Sequence, residues 1–305
     1  MRARSRVIGG IYRLAAAGCA EAVTRVPACE ALFLRIGPRA WGSRWMGRFY
    51  RSAADRVALR IRRAGSQFRR VRVGNTPLLL DVTEFTTRTL YFGRVEYEPK
   101  TTACLAELLG PGGLFVDVGA NHGYFSLIAA ACVGATGRVA AFEPNPAVFA
   151  QLQAHVRMNH FEDRVRLEPI ALGEPGVEAA RLFVSQNREN SGLSSLSPAK
   201  ATLDLGWLSP DHTLPVRVET FDRWFAASGW PRVDLMKIDV EGAEARVVAG
   251  MTRSLASGAI AAIICETVSG SPAHEALVAA GYNADVLESV GPLVNVLYSR
   301  KGGRA

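Results

Sequence analysis

The chain has 305 residues, 49% of them hydrophobic and 21% charged, enough apolar content to bury a full core and a composition that excludes collagen, coiled coil and wholesale disorder. Its net charge of +8 is unevenly held: residues 1–75 carry seventeen Arg against Glu21, Glu30 and Asp55, a balance of +14, so the remainder carries −6. The basic surface therefore belongs to the N-terminal quarter, where it can meet anionic lipid, nucleic acid or an acidic partner, or simply decorate solvated helical faces. Five cysteines (Cys19, Cys29, Cys104, Cys132, Cys265) are scattered with no CxxC pair, and three sit in apolar runs, as reduced core residues of a cytoplasmic protein do.

The stretch from Val7 to Ala20 follows Arg2, Arg4 and Arg6 and contains Ala16-Ala17-Gly18-Cys19, a weak imitation of a lipoprotein cleavage site. Arg13 interrupts it, and no window reaches the roughly 18–20 uncharged apolar residues of a spanning helix. Through about Gln67 the chain reads as Arg-rich helices with Trp41, Trp45, Phe49 and Tyr50 interleaved among Arg39, Arg44, Arg48 and Arg51. That pattern either lies on an anionic membrane surface or docks its aromatic stripe on the core. The expected division is a basic helical extension over residues 1–70 and an α/β domain over 71–305.

From Val71 the texture changes to short β-rich runs. Val71–Val73 and Leu78–Val82 read as a hairpin around Gly74-Asn75, and 101–109 as a helix after the turn at Glu98-Pro99. Alternation follows: strand Leu114–Val118, helix Tyr124–Cys132, strand Arg138–Phe142, helix Pro146–Asn159 and strand Val165–Leu172. A later set comprises strand Leu235–Val240, helix Ala243–Ser254, strand Ile260–Glu266 and helix Ala273–Ala280. Near-continuous apolar strands alternating with helices predict a doubly wound, mostly parallel sheet, whose ligands bind beyond the C-terminal strand ends. Between them, about 174–220 lapses into a polar insertion with hairpin strands at Ala180–Val184 and Leu214–Val218, a candidate substrate lid. Tyr282–Leu287 and Val294–Tyr298 are expected to close the chain as a strand pair.

The most informative segment is 114–127, reading LFVDVGANHGYFSL, an apolar strand that enters a glycine loop and then a helix. Gly119 and Gly123 permit close ligand approach, but NAD, FAD and phosphate binders share this construction. Asp117 inside the strand end would repel a pyrophosphate and suits the ammonium of an amino-acid-like ligand. Glu143, twenty-six residues on at the end of VAAFEPNP, can accept both ribose hydroxyls. Together they describe a nucleoside–amino-acid conjugate, and S-adenosylmethionine (SAM) fits.

With these two motifs stand Tyr97-Glu98-Pro99, SGLSSL at 191–196 and LMKIDVEGAE at 235–244. The set resembles the FkbM-type methyltransferases over about residues 86–299. The resemblance implies a seven-stranded Rossmann-like sheet in which Asp117, Gly119, Asn121 and Gly123 wrap the methionine end of SAM, Glu143 binds the ribose and Ala171 lies beside the adenine. Glu98 would close over the same pocket, or be an ordinary turn residue before Pro99. His122 stands where an apolar residue is usual, and either contacts substrate as a base or faces solvent.

Lys237 and Asp239 share one face of their strand, which calls for a purpose or a mutual ion pair. Asp239 and Glu266 both end apolar strands at the expected crevice, where they can hold Mg²⁺ or Mn²⁺; alternatively Asp239 is itself the base or a second partner for the cofactor ammonium. Lys237 and Asp222 are weaker base candidates, read as an ion pair and a helix N-cap. The Ser/Asn-rich stretch 186–195 suits a polyhydroxylated acceptor. The reading is a SAM-dependent methyltransferase acting on a hydroxyl of a glycan, glycolipid or polyketide-type acceptor, cytoplasmic and drawn by its basic N-terminus to anionic membrane, with nucleic acid disfavoured. Its competitors are an anionic-surface or nucleic-acid binding module on a vestigial fold, and an NAD-linked oxidoreductase.

Overall fold

The structure, a computed structural model, describes residues 15–43, 46–65, 67–73, 76–94, 96–185, 194–197, 208–290 and 293–300. Two compact units divide the chain, Met1–Tyr97 and Glu98–Ala305.

In the first unit, helix α1 (15–25) leads to α2 (Pro27–Trp41), which starts with proline in its first turn, where a missing N–H costs nothing, and α3 (Gly47–Arg63). The antiparallel pair β1 (Phe68–Val73) and β2 (Thr76–Asp81) follows, then α4 (Phe85–Arg88) and a π-helical turn (Thr89–Gly93). The expected aromatic stripe turns inward: Tyr50 stacks on Phe33 at 4.2 Å and meets Trp41 edge-on, and its hydroxyl donates to the carbonyls of Phe33 and Phe92. Trp45 lies outside the described residues. A Cβ on Gly37 would stand 1.9 Å from the Phe92 carbonyl oxygen, so glycine is what lets α2 meet the π turn. The boundary expected at residue 70 thus falls inside β1. Residues 68–93 belong with the helices because Glu84 binds Arg62 at 2.7 Å, Arg88 binds Asp55 at 3.3 Å and Phe92 packs on Phe33.

The second unit opens with α5 (Pro99–Leu108) and proceeds through β3 (Leu114–Val118), α6 (Tyr124–Val133), β4 (Arg138–Phe142), α7 (Pro146–Met158) and β5 (Val165–Glu168). The chain then forms β6 (Ala171–Leu172), β7 (Ala179–Ser185), β8 (Leu208–Glu219), α8 (Phe221–Ser228), β9 (Val233–Ile238), α9 (Glu244–Ala249), α10 (Thr252–Ser257), β10 (Ile260–Thr267), α11 (Pro272–Ala279), β11 (Tyr282–Val290) and β12 (Leu293–Arg300). Seven strands make one sheet in the order β11-β12-β10-β9-β3-β4-β5, parallel except for β12. Strand order reverses between β3 and β9, which places the crevice of a doubly wound sheet at the ends of these two strands. The core fills around Val116, Phe142, Phe221, Trp224, Met236 and Ile263.

Two expected elements divide. The strand predicted over 165–172 breaks at Pro169, which cannot donate to a ladder, and β6 leaves to join a small sheet with β8 and β7. The helix predicted over 243–254 breaks at Gly250, where a Cβ would stand 2.0 Å from the Gly173 carbonyl oxygen. The hairpin strands expected within the insertion are β7 and β8, with residues 186–193 and 198–207 of that segment outside the described residues.

Candidate active site

The glycine loop is built by close contacts. Gly119 (φ 85°) leaves β3 so near β9 that a Cβ would sit 1.9 Å from the Asp239 carbonyl oxygen, while at Gly123 (φ 89°) it would meet Leu152 at 2.5 Å. Asn121 between them is also left-handed (φ 51°), which asparagine tolerates. Its backbone N–H donates to Glu143 Oε2 at 3.0 Å, and the Asn145 N–H to Glu143 Oε1 at 2.8 Å. Each Glu143 oxygen thus keeps further acceptor capacity. Burial raises the Glu143 carboxyl to about 7 against the pull of these two N–H groups and of His122.

Asp117 is buried in β3 and accepts the Ser126 hydroxyl at 2.5 Å. Burial raises its carboxyl to about 6, opposed by the Lys237 ammonium and the Ser126 hydrogen bond. A group matched to a cationic ligand should behave this way, since an ammonium would repay the desolvation. His122 is buried, in place of the solvent-facing alternative: its carbonyl accepts from the His155 ring at 2.7 Å, and its side chain is among the groups that act on Glu143. It belongs to the Glu143 side of the loop. Ala171 is buried in β6, beside Val218.

On β9, Lys237 donates to Asp239 Oδ2 at 2.7 Å and its ammonium lies 4.4 Å from the Phe125 ring centroid. Burial would depress this lysine, but the Asp239, Glu98 and Asp117 carboxylates outweigh it and hold the ammonium charged. Lys237 is therefore the ion-pair member expected, and a poor base. Asp222 is structural as well: it accepts the N–H groups of Arg253 and Ser254 and so caps α10, whereas Thr220 caps its own helix, α8. Asp239 is half-buried at the end of β9, and Glu98, Asp239 and Glu266 each offer an oxygen within 4.8 Å of the others. Glu98 is no ordinary turn residue: it is buried in a left-handed conformation (φ 43°) ahead of α5 and accepts from Asn295 Nδ2 at 2.9 Å. Sequence reasoning missed Asn295 and Ser126; for Ser126 the signal was its place one turn into the helix after the loop.

The residues fit SAM on one further observation. Asp117, near the end of β3, and Glu143, just after the neighbouring strand β4, are both buried beside the glycine loop, and they are the two carboxylates that an ammonium and a ribose require. When bound, SAM supplies an electrophilic methyl group. This strand order, with one antiparallel strand, a glycine loop at the reversal and carboxylates ending the first two strands, defines a class I SAM-dependent methyltransferase. The model of the Methyltransferase FkbM domain matches residues 117–279, more than half of the chain, and the chain belongs to that family.

Solved structures that it resembles include a SAM-dependent O-methyltransferase from Thermotoga maritima (12% identity, 78% of this chain and 79% of that one, TM-score 0.42). A precorrin-6y C5,15-methyltransferase from Geobacter metallireducens GS-15 (14%, 68% and 90%, 0.40) and an rRNA methylase from Streptococcus thermophilus (10%, 66% and 93%, 0.39) are further examples. No curated protein matches the chain in sequence. Among the described residues no helix is long and apolar enough to cross a membrane.

Proposed function

We propose that this chain methylates oxygen, with a hydroxyl of a glycan, glycolipid or polyketide-type molecule as acceptor. The observation that carries the reading is the gathering of Glu98, Asp239 and Glu266 at the strand ends, within 4.8 Å. A hydroxyl must shed a proton to become a nucleophile, and a carboxylate in the crevice takes it, a contribution of typically 10²–10⁴-fold. Asp239 is the base in this reading, oriented by the charged Lys237 on one oxygen with the other left to the acceptor. His122, on the Glu143 side of the loop, is the second candidate. The test is methyl transfer from labelled SAM to a panel of saccharide, phenol, amine and RNA acceptors. Transfer to hydroxyls that falls at least 100-fold in Asp239→Asn supports the assignment, and transfer confined to nitrogen or carbon overturns it.

The same carboxylates support a divalent cation, Mg²⁺ or Mn²⁺, with Asp239 and Glu266 as ligands and Glu98 joining them. Asp239, Glu98 and Asp117 act on the one Lys237 ammonium and Glu266 stands beside the first two, a concentration of carboxylates that a divalent ion would help to balance. The amide oxygen of Asn295, buried and without a hydrogen-bond partner among the described residues, offers a further neutral donor. Such a cation would acidify an acceptor hydroxyl. Electron paramagnetic resonance of Mn²⁺ added to the full chain tests it: a bound spectrum lost in Glu266→Gln supports the site, and none with wild type refutes it.

The basic first unit supports peripheral contact with anionic membrane from the cytoplasmic side. Leu32 and Ile36 are 58% and 40% exposed on α2, beside exposed Arg35 and Arg39. Salt-sensitive sedimentation with anionic vesicles, weakened in Leu32→Ser/Ile36→Ser, is the expected result.

A further inference from the structure

The first unit holds a cavity of about 510 Å³, in the size range of small-molecule sites, outside the segment the family match covers. Leu34, Val71 and Leu90 give it an apolar lining. Arg70, Arg72 and Arg94 line it as well, with Tyr91 as an aromatic wall and Glu96 as the one acidic residue among the described lining.

The wall is fixed in place. The Tyr91 hydroxyl donates to Glu30 Oε1, which also binds Arg69 at 3.2 Å, so this glutamate is spent behind the cavity. Arg70 and Arg72 stand two residues apart on β1, both exposed, hence on one face of the strand. Arg94 follows the π turn in a left-handed conformation (φ 50°), a strained placement that a non-glycine residue adopts only when its surroundings enforce it. The backbone just before it lies close against α2, where a Cβ on Gly93 would stand 2.6 Å from the Trp41 indole.

The charge balance is equally particular. Residues 1–97 contain nineteen Arg and six acidic residues. Four of those acids are engaged by arginines elsewhere, Glu21 by Arg25 and Arg60, Glu30 by Arg69, Asp55 by Arg88 and Glu84 by Arg62. A fifth, Asp81, accepts the backbone N–H and the hydroxyl of Thr83. Among the described residues Arg70 and Arg94 have no carboxylate partner. Arg70 and Arg94, without a carboxylate partner among the described residues, stand with Arg72 around an apolar lining, and the planar, multi-donor guanidinium is the side chain best suited to phosphate oxygens.

We propose that this cavity binds a phosphate or diphosphate group carried on an apolar or glycosyl body, independently of which acceptor the methyltransferase unit takes. Two sources share that chemistry, a soluble phosphate ester and a lipid headgroup. The first test is calorimetric titration of the full-length protein with inorganic pyrophosphate, comparing wild type, Arg70→Gln/Arg94→Gln, and the charge-matched control Arg48→Gln/Arg63→Gln, whose side chains are exposed away from the cavity lining. Saturable one-to-one binding that weakens about tenfold or more in the cavity variant, and less than about twofold in the control, is expected from the strength of charge-assisted hydrogen bonds. No saturable binding by wild type, or equal weakening in both variants, overturns the proposal. Since Arg70 and Arg94 are exposed, both variants should melt within a few degrees of wild type, and a cavity variant that also melts normally yet binds normally overturns it too. Phosphatidic acid in phosphatidylcholine vesicles separates the sources. Sedimentation displaced by pyrophosphate and lost in the cavity variant assigns a lipid headgroup, and sedimentation unchanged in that variant assigns a soluble ester.

Discussion

Asn295 Nδ2 donates at 2.9 Å to Oε2 of Glu98, 197 residues earlier in the chain, and both side chains are buried. Asn295 lies opposite Glu266 in the β10–β12 register, so this amide stands on the same face as one carboxylate and bonds to another. Removing it takes this donor away from the buried Glu98. Asn295→Leu is expected to lower stability by about 1.5–3 kcal/mol, the range for charged buried hydrogen bonds, as read by urea unfolding at pH 7.5. A loss under about 0.5 kcal/mol would show that Glu98 does not depend on the amide.

The glycine loop offers a sharper case, because geometry rather than chemistry sets the outcome. A methyl group at residue 119 would meet the Asp239 carbonyl oxygen at 1.9 Å, a backbone atom that cannot step aside without moving β9, and φ there is 85°. Gly119→Ala should therefore cost at least about 3 kcal/mol of stability and weaken SAM binding beyond detection in whatever fraction still folds. The neighbouring Gly112→Ala, also at positive φ (81°) but 3.6 Å from its nearest atom, is the control and should cost about 1–2 kcal/mol with SAM affinity unchanged. Equal losses in both would remove the close approach of β3 to β9 as the cause.

These positions show how much of the site the sequence carries. Asp117, Gly119 and Gly123 are legible because strand, loop and helix are contiguous, so period and spacing alone put a carboxylate beside a glycine turn. Glu143 is legible because the next strand must return to the same edge of a doubly wound sheet. Lys237 and Asp239 are legible as a pair from period 2. Glu98 with Asn295 is not: the first precedes α5 and the second sits in β12, and only the antiparallel return of the last strand brings them together. Pro169 and Gly250 lay in plain view, yet apolar periodicity ran on through both, and the breaks they cause are enforced by a second sheet and by the Gly173 carbonyl, neither of which is local.

Lys237 places an ammonium among Asp239, Glu98 and Asp117 with 2% exposure. Replacing it by Met retains most of its volume and strips the carboxylates of their cation, a change that costs about 3–5 kcal/mol when a buried pair is broken. Lys237→Met is therefore expected to melt well below wild type at pH 7.5 and to recover part of the loss as pH falls, when the orphaned carboxylates take up protons. A melting temperature insensitive to the substitution would mean that the acids around it are already neutral.

The raised carboxyls of Asp117, about 6, and Glu143, about 7, give the proposed cofactor site a pH signature. Burial makes both groups hold their protons more tightly folded than unfolded, where they titrate near 3.8 and 4.5, so between those values and about 7 the folded chain binds more protons. Their contribution to stability is therefore fully present below about pH 4 and is lost as pH rises through 6 and then 7. Cofactor binding has the opposite slope. A ligand ammonium needs Asp117 ionised and ribose hydroxyls need an accepting Glu143, so SAM affinity should climb from pH 5 to 7.5, approaching tenfold per pH unit for each proton released. Calorimetric titrations across this range in buffers of differing ionisation enthalpy would show the proton release directly. Glu143→Gln should remove the upper part of the rise and Asp117→Asn the lower part, each at weaker overall affinity. An affinity that stays flat from pH 5 to 7.5 would mean that neither carboxylate changes its protonation when the cofactor binds, and would take both out of the roles assigned to them.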